Sequence, residues 1–156
     1  MRRRVILALA MMALFIVGSA SAAQAAKPGA SFKDNKVPVC TLTVEGVIES
    51  GGNVGKNGTA NVDCTEGKVA GLGNQPVLFQ ATLPGGCVNS PGHAPPGHVQ
   101  TDVIPIQPRG GHIDTPAFTL TVDCPSGLFL SVGDAVTYTI TNQAGDIVFQ
   151  EDVPLS

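Results

Sequence analysis

The chain of 156 residues has no tryptophan and a single tyrosine, Tyr138. A stacking platform for sugars or bases, which needs several aromatic faces, cannot be built from it. Its three methionines are Met1, Met11 and Met12, so nothing beyond the first dozen residues offers a thioether to a soft metal. Arginine is nearly as scarce: beyond Arg4 only Arg109 remains. With residues 1–25 set aside, six Lys+Arg stand against twelve Asp+Glu, a net charge of −6. A domain this acidic has no electrostatic footprint for nucleic acid or anionic lipid, and neither is expected as a partner. No serine sits in a Gly-x-Ser-x-Gly elbow. No Cys-x-x-Cys pair exists, no His-x-His pair exists, and no histidine precedes Cys87, which removes the usual zinc-knuckle, dismutase-like and blue-copper ligand sets.

What is present begins with the N-terminus. Arg2, Arg3 and Arg4 precede an apolar run from Val5 to Val17, and small residues come next, with Ala23-Gln24-Ala25 as an A-x-A site and Ala20-Ser21-Ala22 as a second. That layout is a secretory signal peptide over residues 1–25, helical in its apolar part. The run is shorter than the roughly 20 residues a membrane span requires. The chain has no second apolar span, so the expected product is an exported chain, secreted or periplasmic, with no membrane span after cleavage. Residues 26–38 read as a flexible lead, and residues 39–156 as one domain.

In that domain the side-chain period is two. "CTLTVEGVIE" (40–49), "PVLFQATL" (76–83), "FTLTVDC" (118–124) and "AVTYTIT" (135–141) each alternate apolar and polar residues and are rich in β-branched types. Gly, Asn, Asp and Pro clusters separate them. Short alternating strands at this spacing predict an all-β, antiparallel sandwich or barrel, and the β-sandwich is the expected architecture. Four cysteines, Cys40, Cys64, Cys87 and Cys124, suit two disulfides in an exported protein. Folding 40–49 back on 59–64 sets Cys40 opposite Cys64, Leu42 opposite Val62 and Val44 opposite Ala60, which favours Cys40–Cys64 with Cys87–Cys124. Pairing "CTLTV" with "TLTVDC" gives the alternative, Cys40–Cys124 with Cys64–Cys87. "NVDCTEG" (61–67) and "TVDCPSG" (121–127) share Val-Asp-Cys-x-x-Gly, through duplication or through convergence on one strand-end solution.

One segment adds a resemblance. "VGDAVTYTITNQAGDIVF" (132–149) is similar to strand–turn–strand segments of bacterial extracellular immunoglobulin-like repeats. In those repeats a Gly-Asp turn leads into a Val-Thr-Tyr-Thr-Ile-type strand, then an Asn/Gly turn and another strand. The resemblance covers those eighteen residues. It implies an immunoglobulin-like sandwich used as a spacer, adhesin or binding module, and it brings no catalytic residues with it.

Candidate chemistry is confined to one stretch. Residues 84–116 hold seven prolines and all three histidines, His93, His98 and His112. This reads as a long Pro/Gly-rich loop, with "HVQTDVIPIQ" (98–107) as an edge strand because Pro105 forbids central pairing. The histidines, with Asp102 or Asp114, are candidate ligands for zinc or copper. Pro91, Pro95, Pro96 and Arg109 are candidates for a binding loop of low entropy. Ser90 with His93 and an aspartate would be the material for a small hydrolase, and a protease-inhibitor-like loop is a related reading. Asn57-Gly58-Thr59 is a formal glycosylation sequon. The expected function is non-catalytic: an interaction or structural module for a protein or cell-surface partner, without a cofactor. Metal binding by the histidines is the alternative.

Overall fold

The computed structural model describes residues 29–46, 48–49, 53–56, 58–90, 93–125 and 127–156. The signal segment 1–25, the start of the lead, Asn57 and Pro91 lie outside the described residues. Every regular element described is a strand. In chain order these are β1 (Ser31–Phe32), β2 (Cys40–Glu45), β3 (Ile48–Glu49), β4 (Asn53–Lys56), β5 (Thr59–Cys64), β6 (Gly67–Ala70) and β7 (Val77–Val88). The later strands are β8 (His98–Gln100), β9 (Ile104–Ile106), β10 (His112–Thr115), β11 (Phe118–Asp123), β12 (Phe129–Val132), β13 (Ala135–Asn142) and β14 (Ile147–Pro154). Among the described residues no helix is long and apolar enough to cross a membrane.

Several of these strands are pieces of longer runs. β5 pairs with β11 from Thr59↔Asp123 to Cys64↔Phe118, and β6 pairs with β10 from Gly67↔Thr115 to Ala70↔His112. The two ladders share one register, interrupted only at Thr65-Glu66 and Pro116-Ala117. β2 lies on the other side of β5, and β1 on the other side of β6. One layer is thus three antiparallel runs in the order β1–β2, β5–β6, β10–β11.

The second layer is built on β7. β13 pairs with Val77–Thr82 and β12 with Gly85–Val88. The Gly133 N–H donates to the Pro84 carbonyl between them. β12 and β13 therefore line one edge of β7 as a single kinked run, and β14 pairs with β13 beyond it. On the other edge β9 pairs with Val77–Phe79 and β8 with Thr82–Pro84. The bulge between β8 and β9 is closed by Thr101, whose N–H donates to the Ala81 carbonyl and whose Oγ1 accepts the Ala81 N–H. Pro105 costs nothing there, because β9 pairs on one side only. The hairpin β3–β4 extends this layer past β12.

Alternation decides which residues lie between the layers. Val77, Phe79, Ala81 and Leu83 of β7 are buried, as are Val136, Tyr138 and Ile140 of β13 and Leu120 and Val122 of β11. Tyr138 is the hub of the aromatic core. Its ring lies 5.5 Å from Phe32, edge to face, and 5.7 Å from both Phe79 and Phe118. Phe149 meets Phe32 at 5.0 Å, also edge to face. Such ring pairs add about 0.5–1.5 kcal/mol beyond the area they bury. Phe32 corrects the reading of residues 26–38 as a flexible lead. It is 7% exposed, and β1 is hydrogen-bonded to β6. A lone Phe in a charged stretch carries no periodicity, so its burial depends on the partner run alone.

The disulfides are Cys40–Cys64 and Cys87–Cys124. The first joins directly opposed residues of β2 and β5 with Cα atoms 4.1 Å apart. A disulfide sulfur bears no proton, so at 3.6 Å the Tyr138 phenol is the donor to Cys40 Sγ. The second ties the end of β7 to the residue after β11, linking the two layers.

Candidate functional site

Nearly half of the expected loop 84–116 is sheet: β7 continues through Cys87 to Val88, and β8, β9 and β10 follow, with the longer connections over 89–97, described apart from 91–92, and over 107–111. Proline density suggested irregular backbone; the edge position of β8–β9 and the bulge at Thr101 let a Pro-containing segment pair. The two connections sit at opposite ends of β7. Pro96 touches Gly86, whereas Ile106 is opposite Val77. Nine residues of strand separate those levels, about 30 Å at the rise of an extended chain.

This separation breaks up the predicted sets. His93 lies in the first connection and His98 opens β8 opposite Pro84, while His112 opens β10 opposite Ala70 at the far end. Among the described residues no three His, Cys, Asp or Glu lie together in a way that could hold a metal ion. Asp102 sits exposed in the β8–β9 bulge, and Asp114 pairs instead with Lys68 Nζ at 3.4 Å. The binding-loop set is split likewise, since Pro95 and Pro96 belong to one end and Arg109 to the other. The Ser90–His93 pair forms no nucleophile–base contact. His93 Nδ1 is 3.1 Å from the Ser90 carbonyl, which can only accept, so the ring proton is on Nδ1.

The first end is built by close approach. A Cβ on Gly86 would fall 2.9 Å from Pro96 Cδ, and one on Gly85 would fall 2.7 Å from Val122 Cγ2. The two glycines before Cys87 therefore let the loop fold back on one face of β7 and the other layer press on the opposite face. The Gly85 N–H donates to the Gly97 carbonyl at 3.0 Å, and Ser131 Oγ donates to the His93 carbonyl at 2.9 Å. With Cys87–Cys124 below, the loop is pinned on three sides. Its surface holds a hollow of about 340 Å³ lined by Val88, Asn89, Ser90, His93, Ala94 and Pro96.

The second end is a crevice of about 350 Å³ lined by Lys68, Ile106, Gln107, Arg109, His112, Ile113 and Asp114. It gathers cationic side chains in a chain where they are scarce. Sequence reasoning had singled out Arg109 and His112 for separate sets, but missed Lys68 and Gln107. The grouping depends on β6 pairing with β10 and β9 leading into it, and no local pattern announces that.

No family model, no curated protein and no solved structure matches this chain.

Proposed function

We propose that the protein is an exported, non-catalytic interaction module with an immunoglobulin-like sandwich, contacting its partner through the pinned loop at residues 89–97. The observation that carries the reading is the order of the seven runs. Three lie in one layer as A, B and E (β1–β2, β5–β6, β10–β11), and four in the other as G, F, C and C′ (β14, β12–β13, β7, β8–β9). Immunoglobulin-type sandwiches divide their strands this way, with the run after C free to join either layer. The segment 132–149, which carries the resemblance to extracellular repeats, is the F–G hairpin in this scheme. Two disulfides and the signal-type residues 1–25 support an oxidising, extracytoplasmic setting. Binding at loops held by a rigid sandwich is the usual division of labour in such domains.

Two measurements test this. N-terminal sequencing of the extracellular product should begin at Ala26, or at Ala23 for the second cleavage site, with no thiol titrating before reduction. An intact N-terminus or four free thiols would overturn the export reading. For the contact surface, residues 89–94 are replaced by a Gly/Ser linker, which keeps Pro96 against Gly86 and β8 intact. Crosslinking on intact cells should capture a partner with the native chain and lose it with the replacement. Retained capture would place the contact elsewhere.

A further inference from the structure

We propose that the crevice at the opposite end of β7 is a binding site for one carboxylate group, with Arg109 as its principal ligand. This does not rest on the loop at residues 89–97. Arg109 is the single arginine beyond Arg4, in a chain with twelve acidic residues. Among the described residues the one ion pair is Lys68–Asp114, and the Arg109 guanidinium has no hydrogen bond. Its five donors, arranged to meet a carboxylate in bidentate fashion, are open beside Lys68 and His112 in the crevice.

The backbone that carries Arg109 is rigid. Gly110 and Gly111 turn the chain at φ 59° and 78°, and Arg109 and His112 exchange both backbone hydrogen bonds across the turn. Asn74 braces it from the β6–β7 connection: Asn74 Oδ1 accepts the Gly111 N–H at 3.0 Å, and its carbonyl accepts Gln107 Nε2 at 2.8 Å. Leu72 N–H adds a bond to the Gly111 carbonyl. A turn clamped at four points holds the guanidinium's root still, which lowers the ordering cost of binding. His112 lines the same crevice. Its Nδ1 is buried without a hydrogen bond, a state that native interiors rarely leave unexplained.

Charge selects the ligand. Lys68 and Arg109 together carry two positive charges and Asp114 one negative, which leaves a single positive charge unbalanced. A monoanionic carboxylate balances it. A phosphate dianion would overshoot and meet the Asp114 carboxylate.

The test is an amide NMR titration of the mature exported chain at constant ionic strength. The probes are sodium acetate, a capped Gly-Glu-Gly peptide whose only carboxylate is its side chain, and inorganic phosphate at pH 8. Saturable shifts are expected at Lys68, Arg109, His112 and Asp114, with phosphate the weakest probe. Saturation by acetate as well as peptide identifies a free small carboxylate as sufficient; saturation by peptide alone identifies a protein side chain. Arg109→Ala should weaken binding by about tenfold or more, Arg109→Lys by less, and Lys33→Ala not at all. Arg109 is exposed, so an unchanged spectrum elsewhere certifies the fold of the variant. Linear, non-saturating shifts, binding indifferent to Arg109→Ala, or phosphate binding as tightly as acetate would each overturn the assignment.

Discussion

The two ends of the sandwich are filled by different means. Toward Val77 the layers close on Tyr138 and four phenylalanines, Phe32, Phe79, Phe118 and Phe149, with Val69 and Ile113 beside them. Toward Val88 the buried residues form a separate, smaller cluster of Ala60, Val122, Cys124 and Leu130, with Cys87 packed against it. Aromatic rings bury much more area per residue than Ala or Val, so the first end holds together by burial. The second end lacks that volume, and there a disulfide spans the layers. Glycines at 85 and 86 explain the shortage: they admit Val122 and Pro96 close to β7 and leave no side chains of their own. Cross-linking stands in where apolar volume is missing.

The largest effect should come from the aromatic end. Phe79 is fully buried in β7, with ring contacts to Tyr138 and Phe118. Phe79→Ala should cost about 3–5 kcal/mol, from lost burial plus an unfilled cavity. Urea unfolding of the oxidised protein measures it. A loss below about 1 kcal/mol would show that the aromatic cluster is not the seat of stability.

Next comes the other end. Replacing Cys87 and Cys124 together by alanine should cost about 2–4 kcal/mol. The cost should be local before it is global: hydrogen exchange should quicken first in Gly85–Gly97 and Leu128–Ser131, while Val77–Ala81 keeps its protection. Removing Cys40 and Cys64 instead opens a shorter segment, 24 residues against 37, worth about 0.4 kcal/mol less by chain entropy. Its exchange signature should be uniform, because those sulfurs sit among the aromatic residues. Identical exchange patterns in the two double variants would erase the distinction between the ends.

How much of this was legible in the sequence divides along similar lines. Strand faces were open to reading, because alternation is local: Val77, Phe79, Ala81 and Leu83 point inward as their spacing requires, and the β2–β5 register comes from matching apolar faces. Continuity across Thr65-Glu66 and Pro116-Ala117 was not, since shared register is a property of two runs together. Phe32 was hidden for the same reason. The prolines were legible in part: Pro105 marked 98–107 as an edge strand, and β8 and β9 do lie on one edge of β7, but the bulge at Thr101 that splits the segment has no local signal. The crevice of Lys68, Arg109 and His112 depends on two pairings and a turn, so its members were visible only singly.

Tyr138 offers a smaller and more selective test of the aromatic end. Burial pushes its phenol well above the ordinary tyrosine range, because the phenolate would be desolvated. A group raised in the folded state leaves stability unaffected below its unfolded pKa, near 10, and erodes it as pH rises further, at about 1.4 kcal/mol per unit. Tyr138→Phe keeps the ring, gives up the contact to Cys40 Sγ, and should cost about 1 kcal/mol or less at neutral pH. Above pH 10 the variant should be the flatter of the two in urea titrations. Parallel pH profiles would mean that the phenol ionises freely in the folded protein.

The smallest expected effect concerns the outward faces, and it separates burial from pattern. On the exterior of β2, β5 and β11 the alternation continues as Thr43, Asn61 and Thr121 in one row, flanked by Thr41, Asp63 and Thr119. Thr121 Oγ1 donates to Asn61 Oδ1 at 2.8 Å, but both are open to water, which competes for each bond. Thr121→Val preserves the β-branched shape and removes only the hydroxyl. Its effect should lie within about 0.5 kcal/mol, since an exposed substitution away from caps and core seldom does more. A loss comparable to that of the Cys87–Cys124 bridge would mean the polar lattice itself stiffens the three-run layer, and that the ends of the sandwich differ in their outer faces as much as in their filling.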